Sequence, residues 1–151
     1  MRAARGLQDG AVVNERAAID GGWDRRAWIV EDEPAAASLA ADLCEANGAA
    51  PSVFRLPLPY LTALRSDPPP TVVVLDWRLE HELSAALFLA TRHRHPRLPI
   101  IYWTGSVRGA LPAMIQDDHY TIVVDKAAGS GDFEDALAWA FHDEQGPEPA
   151  R

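Results

Sequence analysis

The sequence predicts a single α/β domain built on a doubly wound parallel sheet of five strands, each followed by a helix. Short apolar runs recur along the chain and are continuous rather than alternating, which is typical of strands covered by helices on both faces. The stretches between these runs carry helix start and stop signals. Right-handed crossovers then place the helices in two layers around the sheet, as a three-layer sandwich.

The five strands are predicted from the apolar runs themselves. Four of the runs are strong, and the second in chain order is weaker. They cover residues 27–30, 52–54, 71–75, 100–103 and 121–124.

The first and last helices have the clearest limits. Pro34 stands where proline is tolerated at a helix start, Leu39 and Leu43 lie four residues apart, and Gly48 provides the stop. Asp132 is a candidate N-cap for the last helix. One face of that helix is apolar and consists of Phe133, Leu137, Ala140 and Phe141. Three weaker helices are predicted at residues 59–65, 84–94 and 108–116.

Length and composition limit the class of protein. A chain of 151 residues with 48% hydrophobic residues suits one globular domain with short tails. Its net charge of -8 argues against nucleic acid or an anionic membrane as the main partner, because binding phosphate needs clustered lysine and arginine. Since no apolar run reaches the roughly 18–20 residues of a membrane span and Cys44 is the single cysteine, we expect a reducing, cytoplasmic location.

Two tails flank the predicted domain. Residues 1–25 lack steady periodicity and are predicted to form an extension with at most a short helix. This extension is either a flexible leader or a partly ordered segment that packs on the domain, with Trp23 and Trp28 as apolar anchors. Residues 26–143 form the domain, and the polar, proline-rich residues 144–151 are expected to be a flexible tail.

Polar side chains follow the strands at the edge where sheets of this kind place their sites. The carboxyl ends of parallel strands meet at one edge, and ligands bind there. Three carboxylates, a hydroxyl and an ammonium group are therefore expected to converge. The strand-end segments are Glu31-Asp32-Glu33, Asp76, Thr104-Gly105-Ser106 and Asp125-Lys126.

These residue types together indicate phosphoryl chemistry. Oxygen ligands favour a hard ion such as Mg²⁺, and an aspartate can act as a nucleophile that forms an aspartyl phosphate. Lys126 and the Thr104 hydroxyl can then stabilise phosphoryl oxygens. Each residue alone has a structural explanation, as a cap, a turn residue or a surface charge. Their joint occurrence at four strand ends favours the functional interpretation.

The same residues resemble the receiver domain of two-component response regulators. The similarity covers residues 26–142. The segments that carry it are Trp28-Ile-Val-Glu-Asp-Glu-Pro34, Val72-Val-Val-Leu-Asp76, Leu98-Pro-Ile-Ile-Tyr-Trp-Thr-Gly105 and Lys126. The resemblance implies the flavodoxin-like, receiver version of the three-layer sandwich.

The resemblance also implies a role for each site residue. Asp76 is the phospho-acceptor, with Thr104 and Lys126 as its catalytic partners. Mg²⁺ is held by Asp32 directly, by Glu31 mainly through water, by Asp76, and by the backbone carbonyl of Arg78. Arg78 and Ser106, each two residues beyond a site residue, are the positions that modulate dephosphorylation.

Several positions differ from the family's pattern. Glu80 and Ser84 stand where proline and glycine are usual, and Val123 stands at the position of an aromatic switch residue. Lys126-Ala127 replaces a Lys-Pro bond that is commonly cis. A cis bond before alanine costs about 3–4 kcal/mol, so that loop is either strained or trans. The sequence alone does not decide whether Arg78 pairs with a phosphoryl group or with Glu80.

These implications define a leading hypothesis and two alternatives. The leading one is a stand-alone, phospho-accepting regulator in a two-component or phosphorelay pathway. A histidine kinase or histidine phosphotransfer protein phosphorylates it, and it signals by docking to a downstream protein. Its fourth helix, fifth strand and fifth helix would form the docking or homodimer face, and it is no enzyme beyond its own phosphorylation and dephosphorylation.

The second hypothesis is an adaptor or dimerisation module independent of phosphorylation. The third, a Mg²⁺-dependent phosphatase, is disfavoured because Arg78 replaces the usual second catalytic acid.

Overall fold

The computed structural model describes residues 24–79, 84–105, 111–142 and 147–150 in full. For two short N-terminal strands and for residues 82–83 it describes the backbone. The strands in chain order are β1 Leu7–Gln8, β2 Ala11–Val13, β3 Arg25–Val30, β4 Ala49–Phe54, β5 Val72–Leu75, β6 Arg78–Leu79, β7 Glu82–Leu83, β8 Ile100–Thr104 and β9 Thr121–Asp125. The helices are α1 Pro34–Ala46, α2 Pro57–Ser66, α3 Ala85–Arg94, α4 Ala113–Gln116 and α5 Gly131–Ala140, with a 3₁₀ helix at Lys126–Ala128.

Five parallel strands in the order β4-β3-β5-β8-β9 form the centre of the sheet. This confirms the predicted doubly wound α/β sandwich. The chain leaves β3 toward β4 on one side and later returns to β5 on the other. The carboxyl ends of β3 and β5 therefore flank the switch point of the sheet, where folds of this type bind ligands.

The two faces of the sheet bury two separate apolar clusters. Alternate residues of β3 contribute to each: Ala27 and Ile29 point to one cluster, and Trp28 and Val30 to the other. Helices α1 and α5 cover the first cluster, and α2, α3 and α4 cover the second. Since β5, β8 and the last four residues of β3 are buried on both faces, these segments are continuous apolar runs up to Thr104 at the end of β8.

The ends of α1 agree with the sequence prediction. Glu33 is its N-cap, and its side chain accepts a hydrogen bond of 3.0 Å from Ala36 N. Gly48, just past the C-terminal end, has a φ of +85°, a conformation that L side chains rarely adopt.

The starts of the later helices correct the predicted limits. The N-cap of α5 is Ser130 rather than Asp132, which lies inside the first turn, where its charge favours the helix dipole. Helix α4 begins at Ala113 because Pro112 has an extended ψ of 152°, so the predicted helix at 108–116 is too long at its described end. Residues 106–110 lie outside the described part of the chain.

The N-terminal extension contains two strands where the sequence predicted at most a short helix. β2 pairs antiparallel with β4, and β1 pairs antiparallel with β2, so the sheet has seven strands. Pairing with β2 satisfies backbone groups that β4 would otherwise present at an open edge. The sequence signal was Asp9-Gly10, a dipeptide typical of two-residue hairpin loops. Trp23 lies outside the described residues.

Arg92 joins three segments at the opposite edge of the sheet from the predicted site. Its guanidinium donates to both carboxylate oxygens of Asp118, at 3.1 and 2.8 Å. It also donates to the carbonyls of His95, Pro96 and Leu98. The end of α3, the loop into β8 and the start of β9 are thus held by one side chain.

The C-terminal residues described in the structure contact α5 and the turn before β9. Trp139 Nε1 donates to the carbonyl of Glu148 at 3.0 Å, and Ala150 N donates to the carbonyl of His119. None of the helices among the described residues is long and apolar enough to cross a membrane.

Candidate functional site

The strand-end residues come together in one open cleft at the carboxyl ends of β3, β5, β8 and β9. The cleft has a volume of about 420 Å³. Its walls are Glu31, Asp32, Glu33, Asp76, Arg78, Thr104, Gly105 and Lys126. Every site residue singled out from the sequence therefore lies here, except Ser106, which is outside the described residues.

Lys126 connects two of the three converging carboxylates. Its Nζ donates to Glu31 Oε1 at 2.8 Å and to Asp76 Oδ2 at 3.0 Å. Lys126 is the single lysine of the chain, since every other permanently charged cation in the sequence is an arginine. Arginine presents a wide planar fork, whereas an ammonium group is a compact charge that fits between two carboxylates.

Glu31 is the most deeply placed of the acidic residues, with 2% of its surface exposed. Burial raises the pKa of its carboxyl, and so does the nearby charge of Asp76, while the hydrogen bond from Lys126 opposes both. Glu33 N also donates to Glu31 Oε2, at 3.2 Å. The chain turn after β3 thus holds the Glu31 carboxylate in the cleft.

Three carboxylates are close enough to share a cation. One oxygen each from Glu31, Asp32 and Asp76 lies within 4.8 Å of the others. Around an octahedral Mg²⁺ with bonds of about 2.05 Å, ligand oxygens stand about 2.9 or 4.1 Å apart. The three oxygens are near this range, and the donor set is the one that hard cations prefer. The cluster is thus able to hold a metal ion.

The loop after Asp76 forms a small hairpin that the sequence did not predict. β6 pairs antiparallel with β7, with Arg78 opposite Leu83. Trp77 and Leu79 are buried below this hairpin, whereas Arg78 is exposed and lines the cleft. Arg78 N lies 3.4 Å from Asp76 Oδ1, a long contact between the loop backbone and that carboxylate. The carbonyl of Arg78 as a metal ligand stays a prediction, and Glu80 lies outside the described residues.

Ser84, which stands where the receiver sequence pattern has glycine, follows that hairpin directly. Its backbone N–H donates to the carbonyl of Trp77 at 2.9 Å, and its buried hydroxyl donates to the Tyr102 hydroxyl at 3.2 Å. Tyr102 also packs edge-on against Trp77 at 6.3 Å. The Ser84 side chain therefore links the loop after Asp76 to Tyr102 in β8.

The loop after β9 is trans and is built without proline. The described backbone contains no cis peptide bond. Asp125 accepts a hydrogen bond of 2.8 Å from Ala127 N, which caps the 3₁₀ helix carrying Lys126. Gly129, with a φ of +87°, then turns the chain into α5.

Trp103 is a site neighbour whose role the sequence did not reveal. It precedes Thr104 in β8, and its ring centroid lies 5.4 Å from Lys126 Nζ. Its position next to Thr104 places it beside the site, but the sequence contains no sign of a contact with Lys126, because a tryptophan at the end of a buried strand is usually a core residue.

No protein-family model matches the chain, and no curated protein matches it. Solved structures do. A response regulator receiver protein from Sinorhizobium medicae has a TM-score of 0.67 and 16% identity, over 78% of this chain and 94% of that one. The receiver domain of a Francisella response regulator has a TM-score of 0.65 and 13% identity, over 79% and 98%.

A third solved structure, of the response regulator TrrA from Thermotoga maritima in complex with Mg²⁺ and BeF, has a TM-score of 0.63 and 16% identity. It covers 78% of this chain and 99% of that one. Its strands and helices correspond to those of this chain along almost its whole length. The chain therefore has the fold of a response regulator receiver domain.

Proposed function

We propose that the protein is a phospho-accepting response regulator in which Asp76 receives a phosphoryl group in a Mg²⁺-dependent reaction. The observation that carries this proposal is the pair of hydrogen bonds from Lys126 Nζ to Glu31 and Asp76. A cation shared between the deepest carboxylate and the acceptor, beside a third carboxylate, is a suitable environment for a dianionic phosphoryl group.

In the proposed transfer, a carboxylate oxygen of Asp76 forms a bond to phosphorus as the P–N bond of a phosphohistidine breaks. The electron pair of the broken bond returns to the imidazole nitrogen. Lys126 pairs with one phosphoryl oxygen, and the Thr104 hydroxyl donates to another. Glu31, Asp32, Asp76 and the Arg78 carbonyl would hold a Mg²⁺ ion, which would neutralise charge on the phosphoryl oxygens.

The phosphoryl donor is proposed to be a histidine kinase or a histidine phosphotransfer protein, and the output is docking to a downstream protein. Phosphorylation would shift an existing equilibrium between two conformations of the docking face. That face, which could also support a homodimer, includes α4, β9 and α5. The protein is proposed to catalyse only its own phosphorylation and dephosphorylation.

Intact mass spectrometry tests the acceptor chemistry. The protein is incubated with acetyl phosphate, with and without Mg²⁺, alongside the Asp76→Asn variant and a Glu33→Gln control. We expect one added phosphoryl group that requires both Mg²⁺ and Asp76 and that persists in the control. No adduct on the wild-type protein, together with no response to beryllofluoride, would refute the proposal.

A phosphorylation-independent adaptor is the second candidate. It is favoured by Val123, a half-buried aliphatic residue of β9 in the place of an aromatic switch residue. Phosphorylation would then have little effect on the face around β9. An adduct at Asp76 that leaves the amide spectrum of β9 and α5 unchanged would support this candidate over the first.

A further inference from the structure

Lys126 is positioned by three groups rather than two. Two of them are the carboxylates of Glu31 and Asp76, and the third is the face of the Trp103 indole, 5.4 Å from Nζ. Cations within about 6 Å of an indole centroid are attracted by the negative face of the ring, and tryptophan is the strongest of the aromatic partners.

The indole itself is held rigidly. Trp103 is 4% exposed, and its ring lies 5.1 Å from that of Phe133 in α5. Both belong to the apolar cluster covered by α1 and α5. The face that Trp103 presents to Lys126 is therefore a fixed surface, on which a flexible lysine side chain can be ordered.

The choice of tryptophan has a cost that packing does not explain. Trp103 Nε1 is buried and, among the described residues, makes no hydrogen bond. A buried indole N–H normally finds a partner, and leaving one unsatisfied is destabilising. Phenylalanine or leucine would carry no orphan donor, but neither offers an indole face to the Lys126 ammonium.

We propose that Trp103 is a positioning residue whose indole face holds the Lys126 ammonium between Glu31 and Asp76. The loop that carries Lys126 has a trans Lys126–Ala127 bond and begins with a short 3₁₀ helix. The 3₁₀ helix and its Asp125 cap order the backbone at Lys126, and the Trp103 ring contacts the long side chain beyond it. The inference rests on the proposed function, in which Lys126 serves the acceptor Asp76.

The single lysine gives a direct test. Protein labelled with ¹³C-lysine shows one ε-CH₂ cross-peak, which reports on Lys126 alone. In the metal-free wild type we expect this peak to be shifted upfield by the ring current of Trp103. Trp103→Leu should return it to the position of a free lysine, and Trp103→Phe should leave it in between. Trp139→Leu, the same change at another tryptophan of the same apolar cluster, should not move it.

Two further measurements separate positioning from packing. Trp103→Leu should slow phosphorylation by acetyl phosphate roughly 3- to 30-fold, the rate equivalent of a partly desolvated cation–π contact. Trp103→Phe, which keeps a weaker aromatic face, should react at a rate between those of the wild type and Trp103→Leu.

The outcomes distinguish the two proposals. An unshifted lysine peak in the wild type, or one that stays shifted in a folded Trp103→Leu or Trp103→Phe protein, would overturn the positioning role. So would unchanged phosphorylation rates in the two Trp103 variants. A wild type that is never phosphorylated but has a Trp103-dependent lysine peak would instead overturn the proposed function and leave the contact established.

Discussion

The charge balance of the cleft depends on Lys126. Burial lowers the pKa of its ammonium, but the hydrogen bonds to Glu31 and Asp76 outweigh burial, and the net pKa is raised. Its stabilising contribution is therefore complete below the ordinary lysine pKa of 10.5 and is lost only as the pH rises through the higher folded value. At neutral pH the full contribution is present.

Replacing Lys126 by methionine leaves Glu31 and Asp76 close together without their cation. We expect metal-free Lys126→Met to be less stable than the wild type by about 1–3 kcal/mol at pH 7, measured by urea unfolding. The difference should narrow toward pH 5, because Glu31, with its raised pKa, takes up a proton. Adding Glu31→Gln should restore part of the loss. An equal loss at both pH values would contradict this electrostatic explanation.

We expect the buried Glu31 carboxylate to favour Mg²⁺ binding while it lowers the stability of the metal-free fold. Because burial raises its pKa, the folded protein binds a proton more readily than the unfolded chain, and the Glu31 carboxylate destabilises the metal-free fold as the pH rises above 4.5. We expect Glu31→Gln to weaken Mg²⁺ binding while keeping or raising the melting temperature of the metal-free protein. The gain should grow as the pH rises from 4.5 through the raised pKa of Glu31. A variant that loses stability at pH 7 would show that the charge is needed for folding.

We predict that Arg78 limits the access of water to Asp76. Its side chain is exposed at the rim of the cleft, two residues beyond Asp76, where a guanidinium can pair with a phosphoryl group. We predict that Arg78→Asn loses its phosphoryl group several-fold faster than the wild type. This rate factor corresponds to a free energy on the order of that of one hydrogen bond to a charged group. Decay of the phosphorylated mass after removal of acetyl phosphate measures this. Equal or slower decay would exclude the guanidinium as a shield.

At the scale of the elements, Arg92 stabilises a junction rather than a site. It accounts for two hydrogen bonds to Asp118 and for three to the loop carbonyls of His95, Pro96 and Leu98, at 16% side-chain exposure. We expect Arg92→Ala to lower the free energy of unfolding by about 2–4 kcal/mol, because it leaves a half-buried carboxylate and several carbonyls unpaired. Arg97→Ala, an exposed neighbour, should change it by less than about 0.5 kcal/mol. Similar losses for both would contradict the junction.

Sequence patterns predicted those helices and strands in which the local sequence favours the same structure as the packing of the whole domain. The continuous apolar runs identified all five parallel strands, and Pro34 with Gly48 identified the limits of α1. The predicted site residues followed, because strand ends must meet at one edge of a parallel sheet. Two elements, the hairpins β1–β2 and β6–β7, were missed because their strands are two or three residues long and too short for periodicity.

The contacts within the site were also beyond the sequence. Which carboxylates accept a hydrogen bond from Lys126 depends on differences of a few tenths of an ångström in the distances between side chains on different strands. The orphan N–H of Trp103 is likewise a property of packing. Residue type alone cannot distinguish a tryptophan whose ring face contacts a cation from one that only fills space in the core.

At the scale of the whole molecule, the N-terminal hairpin changes which strand ends the sheet. β2 pairs with β4 at Ser52, Val53 and Phe54, so among the described strands this half of β4 is not an edge, whereas β9 is. Removing residues 1–13 should expose the β4 edge. We expect the β4 amides that face β2 to exchange with solvent about tenfold faster in the 14–151 protein. Amides of β9, at the far edge, should exchange at unchanged rates and serve as the internal control. If exchange in β4 were equally slow without the hairpin, β2 would not protect this edge in solution. Faster exchange accompanied by self-association would show that the hairpin also prevents pairing between copies through β4.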